Sequence, residues 1–189
     1  DFEEFDDKIT HKNIPNKLNH NTQKRKEFNW EEFPYEDIFN IYNYNNPLII
    51  IGRLNEKLDI KLIMKLSKHL KAPVIADPLS QIRFDNNDVL SFYDHYIELD
   101  NINPDLIIRI GQKPVSKKLC KKIDQWNKSD RLKISSLLID KNGRFNDDTP
   151  TIIKSEYKEF INFIVSNTNK NDDSNFSDYL NRLDKKVSA

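Results

Sequence analysis

The loop running from Gly111 through Lys113, Pro114 and Ser116 to Lys117 and Lys118 has the chemistry of an anion site. It leads out of an apolar run and into a helix-like stretch. Backbone N–H groups at a helix start are ready anion donors, and lysines there oppose the local dipole unless an anion sits among them. Two solvated surface lysines would give the same spacing. A second loop, Ala76 to Arg83, offers the Asp77 carboxylate, the Ser80 hydroxyl, the Gln81 amide and the Arg83 guanidinium. Arg83 could grip a carboxylate with two parallel hydrogen bonds. An Asp-Pro turn with Arg83 paired to a neighbouring acid is the competing reading. Neither loop is a Walker loop or a Gly-x-Gly-x-x-Gly fingerprint, so a dinucleotide site has weak support.

Other reactive side chains read as structural. His69 and His95 fall on separate predicted helices, and His11 and His20 lie in a polar stretch, so no metal-ligand spacing emerges. Cys120 follows Leu119 on a predicted helix and reads as a small core residue. The pairs Asp147–Asp148 and Asp172–Asp173 sit in polar segments and read as solvated charge. No catalytic residue and no metal ligand is assigned.

These loops need strands to hold them. The chain has three glycines, and Gly52 and Gly111 each end a β-branched run, as expected of buried parallel strands turning at their carboxyl ends. The pattern predicts strands over 48–51, 73–77, 106–110, 132–139 and 151–153. It predicts helices over 55–70, 117–126 (with Ser116 as N-cap) and 155–165, a helical repeat over 89–99, a short turn after Asn29, and a final helix bearing Phe176, Tyr179, Leu180 and Leu183. Strands alternating with helices imply a doubly wound α/β fold: a mostly parallel, Rossmann-like sheet with helices on both faces, its strand order left open. Ligands gather at the carboxyl edge of such sheets. The expected organisation is a linker and extension with a short helix over 1–46, the α/β domain over 47–166, and a polar linker with a C-terminal helix over 167–189.

Composition narrows the function classes. Thirty basic residues balance thirty acidic ones among 189, leaving no global field for nucleic acid or an anionic membrane. One cysteine excludes an internal disulfide, and no apolar run approaches the roughly 20 residues of a membrane span. A cytoplasmic protein without membrane insertion is expected.

Taken together, Gly52-Arg53, the segment Ile75 to Ser80, the segment Asn103 to Gly111, and Lys113 to Lys117 resemble the central domain of the MenD family, with Ile139-Asp140 and Gly143-Arg144 continuing the pattern. These are thiamine-diphosphate-dependent 2-succinyl-5-enolpyruvyl-6-hydroxy-3-cyclohexene-1-carboxylate synthases of menaquinone biosynthesis. The resemblance covers 47–164 and implies a role inside a larger enzyme, a homodimer or homotetramer. That enzyme decarboxylates 2-oxoglutarate and adds the succinyl unit to isochorismate. It implies thiamine diphosphate and Mg2+ or Mn2+ bound by other domains, and an isolated domain that is inert. It also implies that Lys117 and Lys118 hold substrate carboxylates, and that a basic pocket takes the feedback inhibitor 1,4-dihydroxy-2-naphthoate. Arg83, Lys113 and Arg109 are the candidates for that pocket, although Arg109 lies within a strand and fits a buried structural arginine as well. A stand-alone nucleotide-binding module and a purely structural spacer are the alternatives.

Overall fold

The computed structural model describes residues 26–34, 44–55, 57–83, 88–129, 135–142, 149–168 and 175–188. Among them lie strands β1 (Lys26–Asn29), β2 (Pro47–Ile51), β3 (Val74–Ala76), β4 (Leu106–Ile110), β5 (Ser135–Ile139) and β6 (Thr151–Lys154). The helices are α1 (Ile60–Leu70), α2 (Lys117–Asn127), α3 (Tyr157–Asn167) and α4 (Phe176–Ser188). The strands form one sheet in the order β1-β6-β5-β4-β2-β3, and every neighbouring pair is parallel. From β2 the chain moves outward to β3 and then returns to β4 on the other side. The direction of winding therefore reverses between β2 and β4, where open α/β sheets place their ligands.

Every residue of β2 and β4 is buried, which explains their unbroken apolar runs. Alternate side chains serve opposite layers. Ile49, Ile51, Leu106, Ile108 and Ile110 pack under α1 and α3, against Ile63, Leu66, Phe160, Ile161 and Ile164. Leu48, Ile50 and Ile107 face α2 and α4 through Leu119, Ile123, Trp126, Phe176 and Leu180. Each such side chain contributes about 1.5–3 kcal/mol by leaving water, and the helices on both faces make the fold doubly wound.

The predicted helix over 55–70 begins only at Ile60, because the Asp59 side chain caps it by accepting from Leu62 N at 3.2 Å. It stops at Lys71, whose φ of 49° is left-handed. The short turn expected after Asn29 is a 3-10 helix over Trp30–Glu32. Leu132, placed in the fifth predicted strand, lies outside the described residues, as do His11, His20, Gly143, Arg144 and the pairs Asp147–Asp148 and Asp172–Asp173.

Two segments depart from the pattern of their sequence. Lys26–Asn29, inside the expected linker, is an edge strand in register with β6, Lys26 opposite Thr151. It is held by backbone pairing, a Glu27–Lys154 ion pair of 3.0 Å and an edge-on contact between Phe28 and Phe33, none of which needs an apolar repeat. The helical spacing over 89–99 yields a single 3-10 turn, Tyr93–His95. Leu90 instead pairs with the open edge of β3, donating to Val74 O at 2.7 Å and accepting from Ala76 N at 3.2 Å. Unpaired groups on a sheet edge favour such cover, and the pairing draws the chain out of helical conformation.

Candidate functional site

Gly52 and Gly111 bring the β2 and β4 exits into backbone contact at the winding reversal. A Cβ on Gly52 would lie 1.8 Å from Gln112 O, and one on Gly111 would lie 2.7 Å from Arg53 O. Gly52 N donates to Ile110 O at 2.9 Å, and Gln112 N donates to Arg53 O at 2.8 Å. Gly111 has φ of +88°, a conformation open to glycine. Both glycines thus serve chain-to-chain approach, and loop 111–116 emerges with its first residues locked.

Asp77 joins this loop to the other candidate loop. Asp77 is 1% exposed, and its carboxylate accepts from Leu79 N at 2.9 Å with one oxygen and from Val115 N at 2.8 Å with the other. Its own N–H extends the sheet ladder to Ile51 O at 3.0 Å. The next residue after Val115, Ser116, caps α2 by accepting from Leu119 N at 3.1 Å, and its hydroxyl donates to the Asp94 carboxylate.

The two lysines that open α2 then differ sharply. Lys118 donates to Asp94 O at 3.1 Å and stands 3.5 Å from the Glu98 carboxylate. Lys117 is exposed, and its ammonium has no hydrogen bond or ion pair among the described residues. An ammonium in the first turn meets the positive end of the helix, so an arriving carboxylate would relieve that repulsion.

The remaining basic candidates are engaged. Arg83 donates to Ser91 O, and Ser91 Oγ donates back to Arg83 O at 3.4 Å. Lys113 stands 3.8 Å from the Asp124 carboxylate. Arg109 is 2% exposed and donates to the buried Thr149 hydroxyl at 2.6 Å. Lys113 and Arg109 both lie near Cys120, pulling its thiol pKa down, yet burial outweighs them and holds the thiol above its ordinary range. Cys120 Sγ donates to Pro114 O at 3.1 Å, tying α2 to the same loop.

On the α1/α3 side of this edge lies a cleft of about 330 Å3, bounded by Asn55, Gly111, Asp140, Ser155 and Tyr157. Its charged rim is largely self-satisfied, since Lys141 pairs with Glu156 and Asp140 accepts from Asn142 N at 3.0 Å. None of the five basic candidates lines it. Two anchoring acids carry no sequence signal of their role. Asp94 holds Ser116 from outside the loop. Asp184 of α4 accepts from Ser91 N, Phe92 N and the Tyr96 hydroxyl, fixing the segment that presents Asp94.

No family model matches the chain. It is similar to the 2-succinyl-5-enolpyruvyl-6-hydroxy-3-cyclohexene-1-carboxylate synthase of Bacillus pumilus, with 30% identity over 145 residues, 71% of this chain and 24% of that protein. It is 31% identical over 122 residues to the synthase of the same name from Lactococcus lactis subsp. cremoris, across 62% of this chain and 22% of that protein. A shorter match, 39% over 62 residues, links it to that of Desulfitobacterium hafniense, across 30% of this chain and 11% of that protein. The chain spans about a quarter of the length of the longest-matching of these curated relatives. With the expected doubly wound fold in place, the chain is a homologue of one domain-sized segment of the 2-succinyl-5-enolpyruvyl-6-hydroxy-3-cyclohexene-1-carboxylate synthases.

Proposed function

We propose that the chain is the central α/β domain of such a synthase, a cytoplasmic homodimer or homotetramer that decarboxylates 2-oxoglutarate and joins the succinyl unit to isochorismate. The domain supplies the scaffold and presents Lys117 to the carboxylates of these anionic substrates, with Lys118 beside it; the isolated domain is inert. The observation that carries this reading is the contrast at the start of α2. Lys118 is occupied by Glu98 and Asp94, whereas Lys117 is a cation at the positive end of a helix with no partner among the described residues.

Thiamine diphosphate and Mg2+ or Mn2+ do not fit the described residues. No group of three or more His, Cys, Asp or Glu among them could hold a metal ion, and the three glycines form no Gly-Asp-Gly segment. The reading therefore places both in other domains. A feedback site for 1,4-dihydroxy-2-naphthoate would draw on Arg83 and Lys113. Arg109, buried beside Thr149, would add charge rather than contact.

The test is Lys117→Ala in the complete synthase. Loss of a charge-assisted hydrogen bond of about 1.5–3 kcal/mol lowers kcat/KM by about ten- to a hundredfold. Lys118→Ala, which breaks an exposed pair, has a smaller effect. Unchanged kinetics in Lys117→Ala would sink the reading and leave a structural spacer.

A further inference from the structure

We infer that Asp77 is the positioning residue for Lys117, acting across 38 positions of sequence through the amide of Val115. The inference rests on the substrate role proposed for Lys117. Asp77 is nearly inaccessible, and a buried carboxylate carries a desolvation cost that hydrogen bonds must offset. Each of its oxygens accepts one backbone N–H, Leu79 N at 2.9 Å and Val115 N at 2.8 Å. The two amides come from different strand exits, so this one side chain sets the distance between the loops.

Val115 is two residues from Lys117. At about 3.8 Å per Cα step, the anchored amide and the Lys117 backbone are at most about 8 Å apart. Between them, the Ser116 hydroxyl is pinned to Asp94, and its oxygen caps the helix. The segment from Val115 to the first turn of α2 is therefore fixed from two sides, while the Lys117 ammonium is left unengaged among the described residues. A neutral amide at position 77 would face one N–H with its own NH2 group. That swap would release either Leu79 or Val115 with almost no change in side-chain volume. Misplacing an orienting charge by about 1 Å costs up to about a hundredfold, and for a cation that holds the substrate equally in ground and transition states the loss falls on KM.

The experiment is a double-mutant cycle in the complete synthase, using Asp77→Asn, Lys117→Ala and both together. KM and kcat are measured for 2-oxoglutarate and isochorismate, with amide exchange of Val115 followed alongside. Asp77→Asn is expected to expose the Val115 amide and to raise KM about tenfold for the substrate that Lys117→Ala affects, with kcat little changed. In the Lys117→Ala background it should add almost nothing, because residues acting through one group are non-additive. A merely structural Asp77 would lower the melting temperature without this coupling. Independent, multiplying effects, or an unchanged KM in Asp77→Asn beside a raised one in Lys117→Ala, would overturn the positioning role alone. An unchanged KM in Lys117→Ala would overturn the substrate role and this inference together. Should Asp77→Asn fail to fold, Val115→Pro removes the donor N–H while leaving the carboxylate in place, and the same coupling with Lys117→Ala decides the question.

Discussion

Replacing Gly52 by alanine tests whether the contact between the β2 and β4 exits holds the edge of the sheet together. The added Cβ would sit 1.8 Å from Gln112 O, and real Cβ atoms essentially never approach closer than 3.0 Å, so the two exits must separate by about 1.2 Å. The obstructing atom belongs to backbone and cannot swing aside as a side-chain tip would. Separation on that scale breaks the hydrogen bonds from Gly52 N to Ile110 O and from Gln112 N to Arg53 O. Each is worth about 1 kcal/mol net, and the strain of the displaced loop adds about 1–3 kcal/mol. A loss of about 3–5 kcal/mol is thus expected, a large share of the roughly 5–15 kcal/mol that holds a domain folded. In urea, with a slope of about 2 kcal/mol per molar, the unfolding midpoint falls by about 2 M. Gly111→Ala is the control: its left-handed φ of +88° adds conformational strain, and its clash at 2.7 Å is milder. Gly52→Ala should therefore be at least as damaging, although its own φ is ordinary. A Gly52→Ala midpoint within about 0.5 M of wild type would refute the reasoning.

Asp184→Ala strands two backbone N–H groups and the Tyr96 hydroxyl, at a cost of about 2–4 kcal/mol; a thermal melt shows the loss, and faster amide exchange at Ser91 and Phe92 locates it. Protected amides and an unshifted melt would contradict the staple. Burial and the Asp184 carboxylate hold the Tyr96 phenol above the ordinary tyrosine value of 10.0. Its stabilising effect is thus intact below pH 10 and is lost as pH rises further. Cys120, its thiol raised by burial, should react with iodoacetamide at pH 7.5 more slowly than a free thiol, with the rate still climbing past pH 9; a plateau by pH 8 would contradict that placement.

The strands that build the site were legible because their environment is uniform. β2 and β4 are buried on both faces, so every position had to be apolar, and the glycines that end them mark the corners. The Ser116 cap was legible for a local reason, since its partner Leu119 N lies three residues away. Lys26–Asn29 left no pattern because an edge strand is held mainly by backbone groups. The segment 89–99 misled because Tyr93, Tyr96 and Ile97 are all buried at helical spacing, yet Leu90 is committed to the edge of β3.

The layering, the positions of the carboxyl-edge loops and the residues available for charge chemistry there are written in the amino-acid order. These follow from periodicity and local turn chemistry, which act over a few residues. Only the tertiary structure separated Lys117 from Lys118 and gave Asp77 its bridging place. Glu98 lies 20 positions from Lys118, and Asp77 lies 38 from Val115. Whether a cation is spent on a neighbour or left unengaged depends on which distant carboxylate the fold brings within hydrogen-bonding range, and no local pattern encodes that distance.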